Sequence, residues 1–204
     1  VVTGAAAQST SRTHELKATP ETTFYRFLDQ ALRPVLTMNS GDIVKLETAT
    51  GTPGYFERLG VPKDKIPAEL YATFKGVDDG ARRDHTLTGP IYIAGAALGD
   101  MLEIRLRSIA LRLPIAGQAI GPNGGTLPGE FATQRDRVLY LDLKSKTVEY
   151  APGVVVSLKK PFWGSISVVP PASVGRVTDQ RPSFYGANMD NSDLTAGTTL
   201  YLPV

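Results

Sequence analysis

Hydrophobic and polar residues alternate over several short segments of the chain, which is the pattern of half-buried β-strands. The clearest example is residues 44–48, where Val, Leu and Thr alternate with Lys45 and Glu47. The triplet just before it, Ser-Gly-Asp at residues 40–42, has the composition of a turn, and a second apolar segment precedes that turn. A strand–turn–strand unit is therefore predicted over residues 34–51.

Further segments with β-branched, aromatic or alternating apolar residues predict more strands. They are residues 15–17, 91–93, 102–106, 138–143, 147–150, 154–158 and 198–202. Helix signals are few: Pro20 suits either a turn or the first turn of a brief helix over residues 20–32, and Pro67 suits a short helix over residues 66–70. The balance predicts a mainly β fold, a sandwich or barrel with minor short helices.

Two longer stretches interrupt this pattern with glycine, proline and charge. Residues 50–80 form an insertion, which in a compact domain typically makes a functional lid or a subunit contact. Residues 114–129 predict a loop near the active face, and they lack the Gly-Lys-Ser/Thr sequence of a phosphate-binding loop.

A Gly-Asp pair followed by an apolar run occurs twice, at Gly41–Asp42 and at Gly99–Asp100. Glycine tolerates a positive φ angle, and an aspartate side chain caps a turn through hydrogen bonds to nearby backbone. The repeated pair therefore predicts two similar hairpins.

Composition limits the classes of function. A chain of 204 residues allows one large domain or two small ones with a sizeable core. The 22 basic and 20 acidic residues nearly balance, and no Lys/Arg run resembles a nucleic-acid patch, so nucleic acid is not expected as a partner. The absence of cysteine excludes disulfides, thiol nucleophiles and Cys-based zinc sites. No apolar run approaches the roughly 20 residues of a membrane helix, so no membrane partner is expected either.

The first residues are small and apolar or hydroxylated, with three alanines at residues 5–7. We interpret residues 1–13 as a flexible N-terminal extension, and the small residues resemble the region around a secretory cleavage site. They favour a periplasmic or secreted protein, with a cytoplasmic location as the alternative.

The two histidines, His14 and His85, restrict the catalytic chemistry. No Gly-x-Ser-x-Gly motif exposes a serine nucleophile, which disfavours a serine-triad hydrolase. No pair of histidines has the spacing of a zinc-binding helix. His85 lies at the entrance of a predicted strand, where it is either a pocket residue that acts near neutral pH or an ordinary hydrogen-bonded histidine.

Amides and carboxylates cluster from Asn188 to Asp193, between a Gly-Ala pair and the last predicted strand. Such a cluster suits a pocket wall or a site for a hard cation. It also suits turns built by hydrogen bonds from side chain to backbone. The single tryptophan, Trp163, is interpreted as part of the core or of a pocket wall.

Four stretches of the sequence together resemble the acetamidase/formamidase family. They are LKATPETT, PVLTMNSGDIVKLET, DHTLTGPIYIAGAALGDMLEIRL, and FWGSISVVPP leading to GANMDNSDLTAGTTLYLPV. Their order and spacing suit the family, and the resemblance spans residues 16–204.

The resemblance implies a β-rich amidohydrolase that cleaves the C–N bond of small linear amides, such as formamide and acetamide, to a carboxylate and ammonia. A divalent metal ion, zinc or alternatively calcium, would activate the attacking water. By the same resemblance, Asp190 and His85 would be the catalytic residues and metal ligands. Asn188, Asn191 and Trp163 would contact the substrate.

Members of the family continue past the strand that ends at Val204, into a C-terminal portion expected to supply further ligands. The resemblance therefore predicts that residues 14–204 form an N-terminal portion whose fold is incomplete alone. It further predicts a precursor cut after Val204, a C-terminal fragment that stays bound, and assembly into a homo-oligomer. The alternative is a non-catalytic β-sandwich that serves as a binding or structural subunit.

Overall fold

The structure, a computed structural model, describes residues 11–49, 51–77 and 85–204. Within these ranges the chain forms many short strands, two short α-helices, and 3-10 turns at Lys63–Lys65 and Pro128–Glu130. The strands are β1 (Thr13–Leu16), β2 (Thr23–Tyr25), β3 (Phe27–Leu28), β4 (Leu36–Asn39), β5 (Ile43–Leu46), β6 (Thr86–Thr88), β7 (Ile91–Ala94), β8 (Met101–Arg105), β9 (Ile115–Ile120), β10 (Arg135–Asp142), β11 (Thr147–Ala151), β12 (Val154–Ser157), β13 (Ser165–Ser167), β14 (Val177–Thr178), β15 (Gly186–Asn188) and β16 (Thr199–Pro203). The helices are α1 (Pro53–Arg58) and α2 (Ala68–Thr73).

The predicted mainly β fold with short helices is confirmed. The largest sheet is an antiparallel meander in the order β12-β11-β10-β9. The other described strands form pairs: β1 with β5, β2 with β6, β3 with β14, β4 with β7, β8 with β16, and β13 with β15. The described residues thus form several small sheets and not one closed barrel.

The two Gly-Asp turns have the predicted chemistry but do not close hairpins. Gly41 and Gly99 have φ angles of 88° and 98°, and each aspartate accepts a hydrogen bond from the backbone three residues earlier. The strands on either side of Gly41, however, pair elsewhere: β4 lies parallel to β7, and β5 lies parallel to β1. The strands on either side of Gly99 also pair elsewhere, β7 with β4 and β8 with β16. The hairpin prediction is therefore wrong at both turns, because pairing partners are chosen by tertiary packing and not by the turn.

The insertion at residues 50–80 supplies part of the main core where the structure describes it. Phe56 in α1 and Leu70 in α2 are each 1% exposed and pack in one cluster with Ile115 of β9. Thr52 caps the N-terminus of helix α1, and its hydroxyl accepts a hydrogen bond from the backbone N–H of Tyr55 at 3.1 Å. Because these helices bury large apolar side chains, they belong to the hydrophobic core, and a role as a lid or subunit contact stays a prediction.

Two further local predictions have different outcomes. Of the two alternatives at Pro20, the turn forms at residues 20–22. The helix over residues 20–32 does not form, because Arg26 has a φ angle of 70°, which a right-handed helix excludes, and the flanking residues pair as strands β2 and β3. The loop predicted at residues 114–129 is wrong in part. Within the predicted loop at residues 114–129, strand β9 pairs with β10 over six registered positions. Gly117 of β9 sits against the ring of Tyr55, and a glycine in a strand commonly marks such a close approach.

At the N-terminal side, residues 1–10 of the predicted extension lie outside the described residues. The next residues are tied to the first Gly-Asp turn: Arg12 N–H donates to Asp42 Oδ1 at 2.9 Å, and His14 Nε2 lies 3.0 Å from Asp42 Oδ2. His14 thus has a structural contact that aligns β1 beside β5. No helix in the described ranges is long and apolar enough to cross a membrane. Export remains a prediction.

Candidate active site

A histidine–carboxylate pair joins two distant parts of the chain. His85 precedes β6, and its Nδ1 lies 3.1 Å from Oδ2 of Asp179, which follows β14. The Asp179 side chain is 0% exposed, whereas that of His85 is 38% exposed. A carboxylate accepts hydrogen bonds, so the Nδ1 of a neutral His85 ring carries the proton and the Nε2 carries the lone pair. The hydrogen bond to Asp179 therefore leaves the lone pair of His85 Nε2 able to accept a proton or to bind a metal ion.

The segment that carries the predicted site residues has an unusual backbone. Gly186 has a φ angle of 88°, and two residues with side chains, Ala187 and Asp190, have φ angles of 84° and 45°. Left-handed conformations cost about 1–2 kcal/mol for residues with a β-carbon, and they persist only where surrounding contacts impose them. Strain concentrated in five residues favours a functional role for this segment.

Backbone hydrogen bonds impose that conformation. Asn188 N–H donates to the carbonyl oxygen of Asp179 at 2.9 Å, and Asp190 N–H donates to that of Gly164 at 3.0 Å. Asp179 thus contacts His85 through its carboxylate and Asn188 through its carbonyl group. These bonds connect both His85 and Asn188 to one buried residue.

The side chain of Asn188 is fixed by the neighbouring strand. Ser165 in β13 lies opposite Asn188 in β15, and its Oγ donates to Asn188 Oδ1 at 2.9 Å. Ser165 is itself held by Trp163, whose Nε1 donates to the Ser165 carbonyl oxygen at 2.7 Å. Trp163 is half-buried, and with its N–H occupied it offers a substrate only its ring.

Asp190 is exposed and lies close to Gly164. A β-carbon placed on Gly164 would lie 2.8 Å from Asp190 Oδ1, so glycine leaves room for the carboxylate. No hydrogen bond or ion pair joins Asp190 to His85 directly within residues 11–49, 51–77 and 85–204. Among the described residues, His85 and Asp190 are connected only indirectly: His85 contacts Asp179, Asp179 accepts a hydrogen bond from Asn188, and Asn188 lies two residues before Asp190.

Asn191 lies in an exposed turn. Its Oδ1 accepts a hydrogen bond from the backbone N–H of Asp193 at 2.9 Å, and its carbonyl oxygen accepts one from that of Leu194 at 3.0 Å. These are the turn-forming bonds expected of asparagine. The role of Asn191 in binding substrate stays a prediction.

Sequence analysis missed Asp179 and Ser165. Asp179 is 94 residues from His85 along the chain, and no spacing rule connects the two. Ser165 lies two positions after Trp163, in a stretch that carries the family resemblance, but the resemblance gave it no role. Only the pairing of β13 with β15 places it opposite Asn188.

The side chains of this site fit in part the metal ion that the resemblance implies. His85 fits a ligand, because metal-binding histidines typically donate their second ring N–H to a carboxylate. Asp190 offers an exposed carboxylate, as metals such as zinc and calcium accept. Across the part of the chain that the structure describes, however, no three His, Asp or Glu side chains come together as a potential metal site.

The fold is that of solved acetamidase structures. The chain matches an acetamidase from Bacillus halodurans at 26% identity with a TM-score of 0.69, covering 93% of this chain and 57% of that one. It matches an acetamidase from Yersinia enterocolitica at 25% identity and a TM-score of 0.70, covering 98% and 59%. It also matches a predicted acetamidase/formamidase from Thermoanaerobacter tengcongensis at 22% identity and a TM-score of 0.72, covering 96% and 57%.

These matches confirm the resemblance drawn from the sequence. Nearly all of the chain adopts the mainly β acetamidase fold, while the chain spans only 57% to 59% of the length of those three proteins. No protein-family model matches the sequence, and no curated protein matches it either.

Proposed function

We propose that the chain is the N-terminal portion of a metal-dependent hydrolase that cleaves the C–N bond of small linear amides to a carboxylate and ammonia. The supporting observation is the His85–Asp179 pair, tied through Asn188 to Ser165, in a chain with the acetamidase fold. The rest of the enzyme would be a C-terminal fragment of the same precursor that stays bound to this chain.

His85 and Asp190 would hold the metal ion, zinc or calcium, together with ligands from the C-terminal portion. When bound, such an ion lowers the pKa of a coordinated water and polarises a carbonyl group. The buried Asp179 keeps the His85 ring in one tautomer, so that its Nε2 lone pair is always directed away from the Asp179 carboxylate.

Amide hydrolysis also requires stabilisation of negative charge on the carbonyl oxygen and a proton for the leaving amine. Asn188 has an amide N–H group suited to the first task. The alternative role for Asp190, in place of a metal ligand, is to transfer the proton to the leaving amine; its carboxylate is exposed, and Gly164 beside it leaves space for it.

The proposal is tested with the natively purified protein, including any chain that co-purifies with it. Intact mass under denaturing conditions identifies the components, and ammonia release from formamide and acetamide measures activity. His85→Gln and Asp190→Asn should each lower the rate by about 100-fold or more, as expected for loss of an acid–base or ligand group.

Asp193→Asn is the matched control, because Asp193 lies in the same polar cluster as Asp190 and no hydrogen bond or ion pair joins its side chain to His85, Asp179 or Asn188 among the described residues. This variant should retain wild-type activity. Equal losses in all three variants, or full activity in His85→Gln and Asp190→Asn, would refute the assignment. Binding without turnover in a preparation that contains the second chain would favour a non-catalytic subunit.

A further inference from the structure

The side-chain amide of Asn188 has a hydrogen bond at its oxygen and none at its nitrogen among the described residues. Its Oδ1 accepts the hydrogen bond from Ser165 Oγ at 2.9 Å. No hydrogen bond occupies its Nδ2 group in the part of the chain that the structure describes. An asparagine amide has a carbonyl oxygen that accepts hydrogen bonds and an NH2 group that donates them. A hydrogen bond to the oxygen therefore fixes the direction in which the NH2 group donates.

The residues around Asn188 are rigidly placed. Ser165 and Asn188 are directly opposed in the β13–β15 pair, and Trp163 Nε1 donates a hydrogen bond to the backbone carbonyl oxygen of Ser165. The backbone N–H of Asn188 is bound to Asp179, the residue that also holds His85. Asp179 therefore holds both the backbone of Asn188 and the ring of His85, while Ser165 holds the side-chain amide of Asn188.

We propose that Ser165 is a positioning residue that orients the Asn188 amide so that its Nδ2–H group donates to the carbonyl oxygen of a bound amide. This inference rests on the proposed function, and it adds the group that recognises the carbonyl oxygen of the substrate. A donor aimed in advance at an oxygen that gains negative charge stabilises the transition state more than the ground state. Without Ser165, the amide turns freely about its last torsion and presents its oxygen part of the time.

The proposal predicts a specific pattern in kcat and KM for amide hydrolysis. Ser165→Ala should lower kcat about fivefold, the typical worth of one neutral hydrogen bond, with KM nearly unchanged. Ser165→Thr keeps the hydroxyl group and should restore most of the loss. Asn188→Ala should lower kcat about 100-fold, as expected for removal of one oxyanion donor.

The decisive measurement is the double variant. If Ser165 acts only through the Asn188 amide, Ser165→Ala should have no further effect on kcat in the Asn188→Ala background. Ser167→Ala is the control, because Ser167 lies two residues along the same strand and its hydroxyl contacts neither residue. A fivefold loss from Ser165→Ala in both backgrounds, or an equal loss from Ser167→Ala, would overturn the proposal.

A second readout separates this inference from the proposed function. The side-chain NH2 resonances of Asn188, identified by their absence in Asn188→Ala, are followed by NMR while acetamide is added. The inference predicts a shift of these resonances in the wild type and a much smaller shift in Ser165→Ala. If no amide is hydrolysed but this shift is observed, the proposed function fails and the inference stands. If the resonances do not respond to acetamide, the inference is wrong.

Discussion

Gly186 provides a direct stability test of the strained segment. This residue lies in β15 opposite Ser167, with a φ angle of 88°. An added β-carbon would overlap the carbonyl oxygen of Ile166, well inside the 3.0 Å that real β-carbons respect, and would lie 3.2 Å from Leu202 Cδ1. The first contact is with backbone, which cannot move aside without separating β13 from β15.

Two costs add in Gly186→Ala. The left-handed conformation costs about 1–2 kcal/mol for alanine, and overpacking at a close contact costs about 1–3 kcal/mol. The free energy of unfolding should therefore fall by about 2–5 kcal/mol. For a chain of this length, each kcal/mol lowers the midpoint temperature by roughly 2–4 °C, so a midpoint loss of about 4–20 °C is expected.

Alanine substitutions at two other glycines distinguish the conformational cost from the overpacking cost. Gly197 has a φ angle of 93° and nothing within 4 Å of an added β-carbon, so Gly197→Ala should show only the conformational cost of about 1–2 kcal/mol. Gly129 has neither a positive φ angle nor a close neighbour, so Gly129→Ala should be neutral or slightly stabilising.

The assay is urea unfolding followed by tryptophan fluorescence, since Trp163 lies beside β13. The expected order of stability is Gly129→Ala, then wild type, then Gly197→Ala, then Gly186→Ala. If Gly186→Ala were no less stable than Gly197→Ala, the close approach of β13 and β15 would be wrong, and with it the placement of Ser165 beside Asn188.

Three further predictions concern the rest of the fold. Gly117→Ala would place a β-carbon 2.6 Å from the hydroxyl oxygen of the tyrosine packed on it, so unfolding free energy should fall by about 1–3 kcal/mol in a urea titration. Thr88 Oγ1 is buried without a hydrogen-bond partner in the described chain, so Thr88→Val should raise the free energy of unfolding by about 1 kcal/mol. The control Thr73→Val removes a buried hydrogen bond and should lower the free energy of unfolding by a similar amount. Hydrogen bonds led by the backbone N–H of Arg12 lower the pKa of Asp42 from 3.8 to about 2. The stability this group contributes is therefore complete above its unfolded pKa and is lost as pH falls from about 4 to about 2, and Asp42→Asn should flatten that part of a stability–pH curve.

Local patterns predicted most of the strands and the turn chemistry. Alternation over residues 44–48 and the glycine before it specify a strand and a turn through short-range sterics. Pairing partners depend on which surfaces are buried together, so the parallel pairing of β4 with β7 could not be inferred from the turn between β4 and β5. Strand β9 was missed because its glycine makes it appear to be a loop, although that glycine accommodates Tyr55.

The candidate site residues came from family resemblance and not from spacing, and their roles stay a prediction. His85, Asn188 and Asp190 belong to stretches that carry the resemblance, and His85 and Asn188 meet at one residue in the fold. That residue, Asp179, has no local signal, because burial and a partner 94 residues away give it its role.

The most direct test of the central claim is metal-dependent ammonia release from acetamide by the native protein with any co-purifying chain. The rate is measured before chelation, after chelation, and after zinc or calcium is restored. We expect activity that is lost with the metal and regained with one of the two ions in the wild type, and no regain in His85→Gln. Ammonia release unaffected by chelation, or absent from a preparation shown by mass to contain a complementary C-terminal chain, would contradict the account.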